Sequence, residues 1–141
     1  MARVYREAPL NSVWEGTANM MCMDVRRAML REPGTLGALL DEVRPLTRLD
    51  PRFDTLVRTA ERLAHEAVAD EYFARPMAEA VARVLQGAEL IRHGTHEVTD
   101  LFLATRAATA PGAWGSHYGT VAGAITQDAA RQVVRRARVA G

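Results

Sequence analysis

The residues with the most chemical potential sit close together near the start of the chain, in Ser12-Val13-Trp14-Glu15-Gly16-Thr17. Ser12 and Glu15 have the S-x-x-E spacing of a capping box, in which Glu15 accepts the backbone N–H of Ser12 and a helix begins. Gly16 is a poor residue for a first helical turn. Its position favours a second arrangement, with Thr17 as the N-cap and the Glu15 carboxylate on the loop before the helix. Both roles remain open on local grounds. Cys22, His93, His96 and His117 are metal-ligand types, but Gly94 separates the closest pair and no carboxylate-rich helix supports it. They read as structural or surface residues, and no metal site is assigned. Cys22 lies in a methionine-rich run that reads as core, where a thiol is inert. Gly112, Gly115 and Gly119 do not fit a phosphate-binding fingerprint; they read as turn glycines around Trp114. Arg131, Arg135, Arg136 and Arg138 make a basic stretch near the end of the chain. It reads as a solvated face with cations near a helix C-terminus, or as a contact for a phosphate backbone, salt-sensitive and blind to base sequence.

The elements that must position these groups are helices. The chain has 141 residues, 48% hydrophobic and 25% charged, with a net charge of +1. That balance fits one globular domain, residues 1–141, able to bury a core without staples. It excludes a strongly basic nucleic-acid binder as a whole-chain property. One cysteine excludes an internal disulfide framework and fits a reducing, cytoplasmic setting. No apolar run is long enough for a membrane span, and Met1 to Leu10 lacks the apolar region of a signal peptide. All 18 basic side chains are arginine.

Helical spacing recurs along the chain while strand alternation is scarce. A first helix is expected from about Thr17 to Leu30, largely buried because Met20, Met21, Met23, Val25, Ala28 and Met29 cover much of its circumference. Pro33-Gly34 ends it. Thr35 is a plausible N-cap for a short second helix with Leu36, Leu39, Leu40 and Val43 on one face, stopped by Pro45. Asp50-Pro51 opens the clearest helix, with Phe53, Leu56, Val57, Ala60, Leu63, Ala64 and Ala67 as its inner stripe. Arg58, Glu61, Arg62 and Glu66 lie largely off that stripe. A fourth helix runs to about Ile91 through Met77, Val81, Val84, Leu85 and Ala88, with Pro76 in its first turn or at a kink. Thr95 caps a fifth, carrying Val98, Leu101, Phe102 and Thr105. Ala110 to Gly119 is a loop. Thr126 caps a last helix with Ala130, Val133, Val134 and Ala137 facing inward. The sum is all-α: an antiparallel up-and-down helical bundle.

The run Tyr5-Arg6-Glu7-Ala8-Pro9-Leu10-Asn11-Ser12-Val13-Trp14-Glu15-Gly16-Thr17 resembles the acyl-CoA dehydrogenases, which carry Arg-Asp-Ala and then Tyr-Glu-Gly-Thr at this spacing. With Asn19 and Asp24-Val25-Arg26-Arg27-Ala28 it is closer still to the AidB-like branch, the alkylation-response relatives of isovaleryl-CoA dehydrogenase. Leu85-Gln86-Gly87, Ile91-Arg92-His93, Trp114-Gly115 and Tyr118-Gly119-Thr120 look like the tail of that group. The resemblance implies a C-terminal domain of that family, roughly the last quarter of such an enzyme. It also implies an FAD-dependent α,β-dehydrogenation of an acyl-CoA thioester. In that chemistry Glu15 is the base that removes the α-proton and the flavin takes the β-hydrogen as hydride. Gly16, Thr17 and Asn19 match positions that approach the FAD.

Several expectations follow from the resemblance. The family's N-terminal helical and middle β domains have no counterpart in 1–141, nor does its glycine-rich segment near the adenine. A truncated or split gene product is the simplest account, with Met1 as a former internal methionine. The chain alone is then not expected to retain FAD or to be active. Apolar faces left by the missing domains drive homo-oligomer formation or association with those domains. The AidB-like group's link to DNA strengthens the phosphate reading of the C-terminal arginines. The alternative function is therefore a non-catalytic helical module that binds DNA or a partner subunit.

Overall fold

A computed structural model describes residues 6–7, 18–107 and 126–137. Among the described residues the chain is an all-helical bundle without strands. Its helices are α1 (Ala18–Arg31), α2 (Gly34–Val43), α3 (Pro51–Ala69), α4 (Ala74–His93), α5 (His96–Arg106) and α6 (Gln127–Ala137), with 3-10 turns at Arg44–Leu46 and Glu71–Phe73. No helix of the described residues is long and apolar enough to cross a membrane.

α3 and α4 pack along one another and carry the core. All seven expected inner residues of α3 are buried, from Phe53 to Ala67. On α4 the buried set is Ala74, Met77, Ala80, Val84, Gly87 and Ala88. Met77, Val84 and Ala88 were expected there; Leu85 was too, yet it is 44% exposed. The reason is that small residues set the contact line. A Cβ on Gly87 would stand 3.1 Å from the Phe53 ring and 3.5 Å from Phe102, so the Phe53 ring, fully buried, lies directly on the backbone of α4. Val43 from α2 and Leu103 from α5 complete the core, with Met29 of α1 packed at its edge.

The helix starts follow local chemistry. Asp50 is extended and its side chain accepts from the Arg52 N–H at 2.8 Å, with Pro51 beginning the helix. Pro76 lies in the first turn of α4, where its missing N–H costs nothing. Thr126 Oγ1 accepts from Ala129 N at 3.2 Å, opening α6. Thr95 stands at the N-cap position of α5 without a side-chain capping bond. Thr35 is not a cap: α2 begins at Gly34, and Pro33 ahead of it is already helical, so the Thr35 N–H bonds to Glu32 O at 2.9 Å instead. α2 ends at Val43, two residues before Pro45.

Two expected burials fail. α1 has no buried residue: Met20 is 49% exposed, Met21 37%, Val25 39% and Leu30 42%. Its apolar residues run all round the helix, but within the described residues only one side meets the bundle. On α6, Val134 is 58% exposed while Ala130 and Val133 are half-buried. The expected Ala110–Gly119 loop, with Trp114 and Tyr118, and the Ala137 side chain lie outside what is described.

Two outcomes test this account. Gly87→Val wedges a branched side chain between α4 and Phe53, and should destabilise the fold by roughly 1–3 kcal/mol in chemical denaturation. Asp50→Ala should cost about 1 kcal/mol through the lost cap. The Arg52 guanidinium bonded to it holds the Asp50 carboxyl below its ordinary value of 3.8. A lowered folded-state value means its contribution is complete above 3.8 and is lost as pH falls through the lower value. The difference between wild type and Asp50→Ala should therefore shrink in acid.

Candidate functional site

The Glu15–Thr17 segment lies outside the described residues, and α1 is the described helix that follows it in sequence. Half-buried Cys22, Met23, Arg26 and Met29 are its inner side. Two arginines make its long-range hydrogen bonds. Arg26 Nε donates to Ala67 O at 2.6 Å and Arg26 Nη2 to Val68 O at 3.4 Å. Those carbonyls are in the last turn of α3, where no intrahelical donor reaches them, and a cation suits the negative end of the helix. At the other contact Arg75 Nη1 donates to Asn19 Oδ1 at 2.8 Å. Arg75 is the second residue of α4 and Asn19 the second of α1. The first turns of the two helices therefore meet at one end of the bundle.

Of the four residues assigned to base and flavin, Glu15, Gly16 and Thr17 lie outside the described residues. Asn19 is described, exposed, and bound to Arg75. The groups gathered beside it are an amide, a guanidinium and the N-terminal turn of α1. In that bond the Asn19 amide oxygen accepts; the Asn19 NH2 and the remaining guanidinium N–H groups are donors of the type that receives carbonyl or phosphate oxygens, such as those FAD presents.

The other candidate groups are dispersed. Arg131, Arg135 and Arg136 are exposed on α6, and Arg138 lies outside the described residues. Arg131 pairs with Asp128 at 3.3 Å, both side chains well exposed, so this pair contributes little. Gln127, Ala130, Arg131, Val134 and Arg135 line an open recess on this helix. No group of three or more His, Cys, Asp or Glu able to hold a metal occurs among the described residues. His93 and His96 are exposed, Cys22 is half-buried, and His117 is not described.

Ion pairs tie the remaining helices. Arg52 bonds Asp50 at 2.7 Å and Asp100 of α5 at 2.8 Å, which lifts its own guanidinium above the ordinary arginine range, chiefly through Asp50. Arg92 on α4 reaches both the side chain and the carbonyl of Glu42 on α2, at 2.7 and 2.8 Å. Sequence reading missed Arg75, Arg26 and Arg52 as tethers, because a bond between residues 41 to 56 apart leaves no periodic mark. Arg26 did stand in the run quoted for the family resemblance, with no role attached to it.

Over 62 residues the chain is 37% identical to "Putative acyl-CoA dehydrogenase AidB" of Escherichia coli (strain K12). Over that stretch the chain is similar to AidB. The match covers 44% of the chain and 12% of that relative, so it spans only a small part of that relative's length. No family model matches, and no solved structure matches. The helical bundle agrees with the fold expected of an AidB-like C-terminal domain.

Proposed function

We propose that this chain is the C-terminal helical domain of an FAD-dependent acyl-CoA dehydrogenase-like oxidoreductase, acting in the cytoplasm on an acyl-CoA thioester. The observation that carries the reading is the AidB likeness; Arg75 bonded to the Asn19 amide oxygen puts polar groups at the head of α1 beside it. Glu15 is the base that takes the α-proton. Gly16 allows close approach of the flavin, and Thr17 and Asn19 direct donors at its oxygens. FAD, when bound, supplies the hydride acceptor. The family's N-terminal helical and middle β domains are required to hold it, so the chain acts only in association with them.

The test is to incubate the chain with FAD, with and without a polypeptide carrying those two domains, and record visible absorption after desalting. Flavin bands are expected only in the combined sample. No bands in either sample overturns the flavin reading. Bands with the chain alone support it but overturn the need for the other domains. In the flavin-loaded assembly, Glu15→Gln should slow anaerobic bleaching by acyl-CoA by roughly 10²–10⁴-fold with the oxidised spectrum unchanged. An unchanged bleaching rate removes Glu15 as the base.

A second reading rests on α6, whose exposed arginines are offset within the helix by Asp128 alone. In it the chain is a non-catalytic module that contacts the phosphate backbone of DNA. With three arginines engaged, the logarithm of affinity should fall with the logarithm of salt with a slope of about −2 to −3. Alanine at Arg131, Arg135 and Arg136 together should flatten that slope. Affinity independent of salt eliminates this reading.

A further inference from the structure

We propose that the exposed side of α1 is a self-association surface, on which a second copy of the chain docks antiparallel about a two-fold axis near Val25. The pairing uses described residues only and needs no flavin. One side of α1 is already taken: half-buried Cys22, Met23, Arg26 and Met29 face the bundle. Met21, Val25 and Ala28 are spaced i, i+4 and i+7 and make a separate stripe along the helix. All three are exposed, Met21 by 37% and Val25 by 39%, and Met20 beside them by 49%. No other described helix leaves as many large apolar side chains exposed. A chain that remains single rarely leaves such surface contiguous.

The charges beside the stripe select the occupant. Asp24 and Arg27 run along one edge of it and pair with each other there, their side chains 62% and 48% exposed. A two-fold axis across the helix sets that edge against the same edge of the second copy, with its order reversed. Asp24 then stands beside Arg27 of the second copy, and Arg27 beside its Asp24. One operation makes two cross pairs. Met21 meets Ala28 of the second copy, large against small, and the two Val25 side chains meet at the axis. A parallel arrangement does not bring the charged edge onto itself and forms neither pair. One helix face is small beside the roughly 1,200–2,000 Å² that a stable interface buries. The pairing is therefore weak, with a dissociation constant expected at roughly 10 µM to 1 mM.

The test is sedimentation of the full chain across about 10 µM to 1 mM, where wild type should pass from monomer to dimer. Val25→Glu sets two carboxylates against each other at the axis and should weaken the dimer at least tenfold, with the helical circular dichroism unchanged. Asp24→Arg and Arg27→Asp each leave the edge with one sign of charge, and each should weaken self-association about tenfold. Mixed in equal amounts, these two variants should associate at least as tightly as wild type, because each supplies the charge that the other lacks. Misfolded variants could not recover in this way, so the mixture decides even if Val25→Glu fails to fold. A chain that stays monomeric up to about 1 mM overturns the proposal. So does a dimer that Val25→Glu leaves intact, or a mixture that does not recover. If the polypeptide carrying the other two domains binds wild type but not Val25→Glu, and the chain alone stays monomeric, the face belongs to that polypeptide and the proposal fails.

Discussion

The contact between the Phe53 ring and the backbone of α4 at Gly87 is the constraint on which the rest of the bundle depends. A Cβ at Gly87 would stand 3.1 Å from the ring, tighter than ordinary contact, so the missing side chain lets the ring rest on the α4 backbone. The same close approach makes alanine sufficient elsewhere on the seam, at Ala60, Ala64, Ala67, Ala80 and Ala88, all buried. Phe102 of α5 comes in from the other side of Gly87, so one missing side chain seats three helices. Gly94 repeats the device at the end of α4. A Cβ there would collide with Leu90 O, which accepts both from the Gly94 N–H and from Thr99 Oγ1 at the start of α5. The turn from α4 into α5 is therefore fixed by backbone proximity too.

Around this apolar pair the connections are polar, and arginine supplies most of them. Arg52 joins the cap of α3 to α5, Arg92 joins α4 to α2, and Arg26 joins α1 to the end of α3. A guanidinium suits the task because its donors lie in a fixed plane and it keeps its charge at any relevant pH. The chain has no lysine. The structure uses arginine for its bonds between helices. Among the described residues one non-glycine position carries backbone strain: Arg48 stands at φ 73°, with its N–H bonded to the Asp54 carboxylate at 2.9 Å. The turn between the 3-10 element and α3 thus holds a left-handed residue through a bond to the first turn of the helix it introduces.

What could be read from the sequence follows from which forces are periodic. The α3 stripe was legible residue by residue because burial on one face repeats every three or four positions, and the Asp50 cap and the first-turn Pro51 are local in sequence. On α4 the same reasoning favoured the bulky Leu85 and passed over Gly87, since periodicity weighs hydrophobic size and close approach requires its absence. On α1 the methionines looked like core because they are apolar; the available neighbours cover only one side. The tethers Arg26, Arg52 and Arg75 were illegible, being pairings between residues far apart. Of the proposed site, Asn19 gains a definite partner in Arg75, while the identity of the base and the flavin contacts still rests on the resemblance of the Glu15 segment.

α1 is bound to the core less firmly than α3 and α4. Burying a single large apolar side chain contributes about 1.5–3 kcal/mol, and α3 buries several. α1 buries none fully and relies on hydrogen bonds, each contributing about 1 kcal/mol, or somewhat more with a charged donor. Its local stability must therefore lie well below that of α3 and α4. Any group that binds the ordered form of α1 raises that stability in proportion to its concentration over its dissociation constant. α1 is thus held on one side by half-buried side chains and two arginine bonds, and its order depends on polar contacts more than that of α3 or α4.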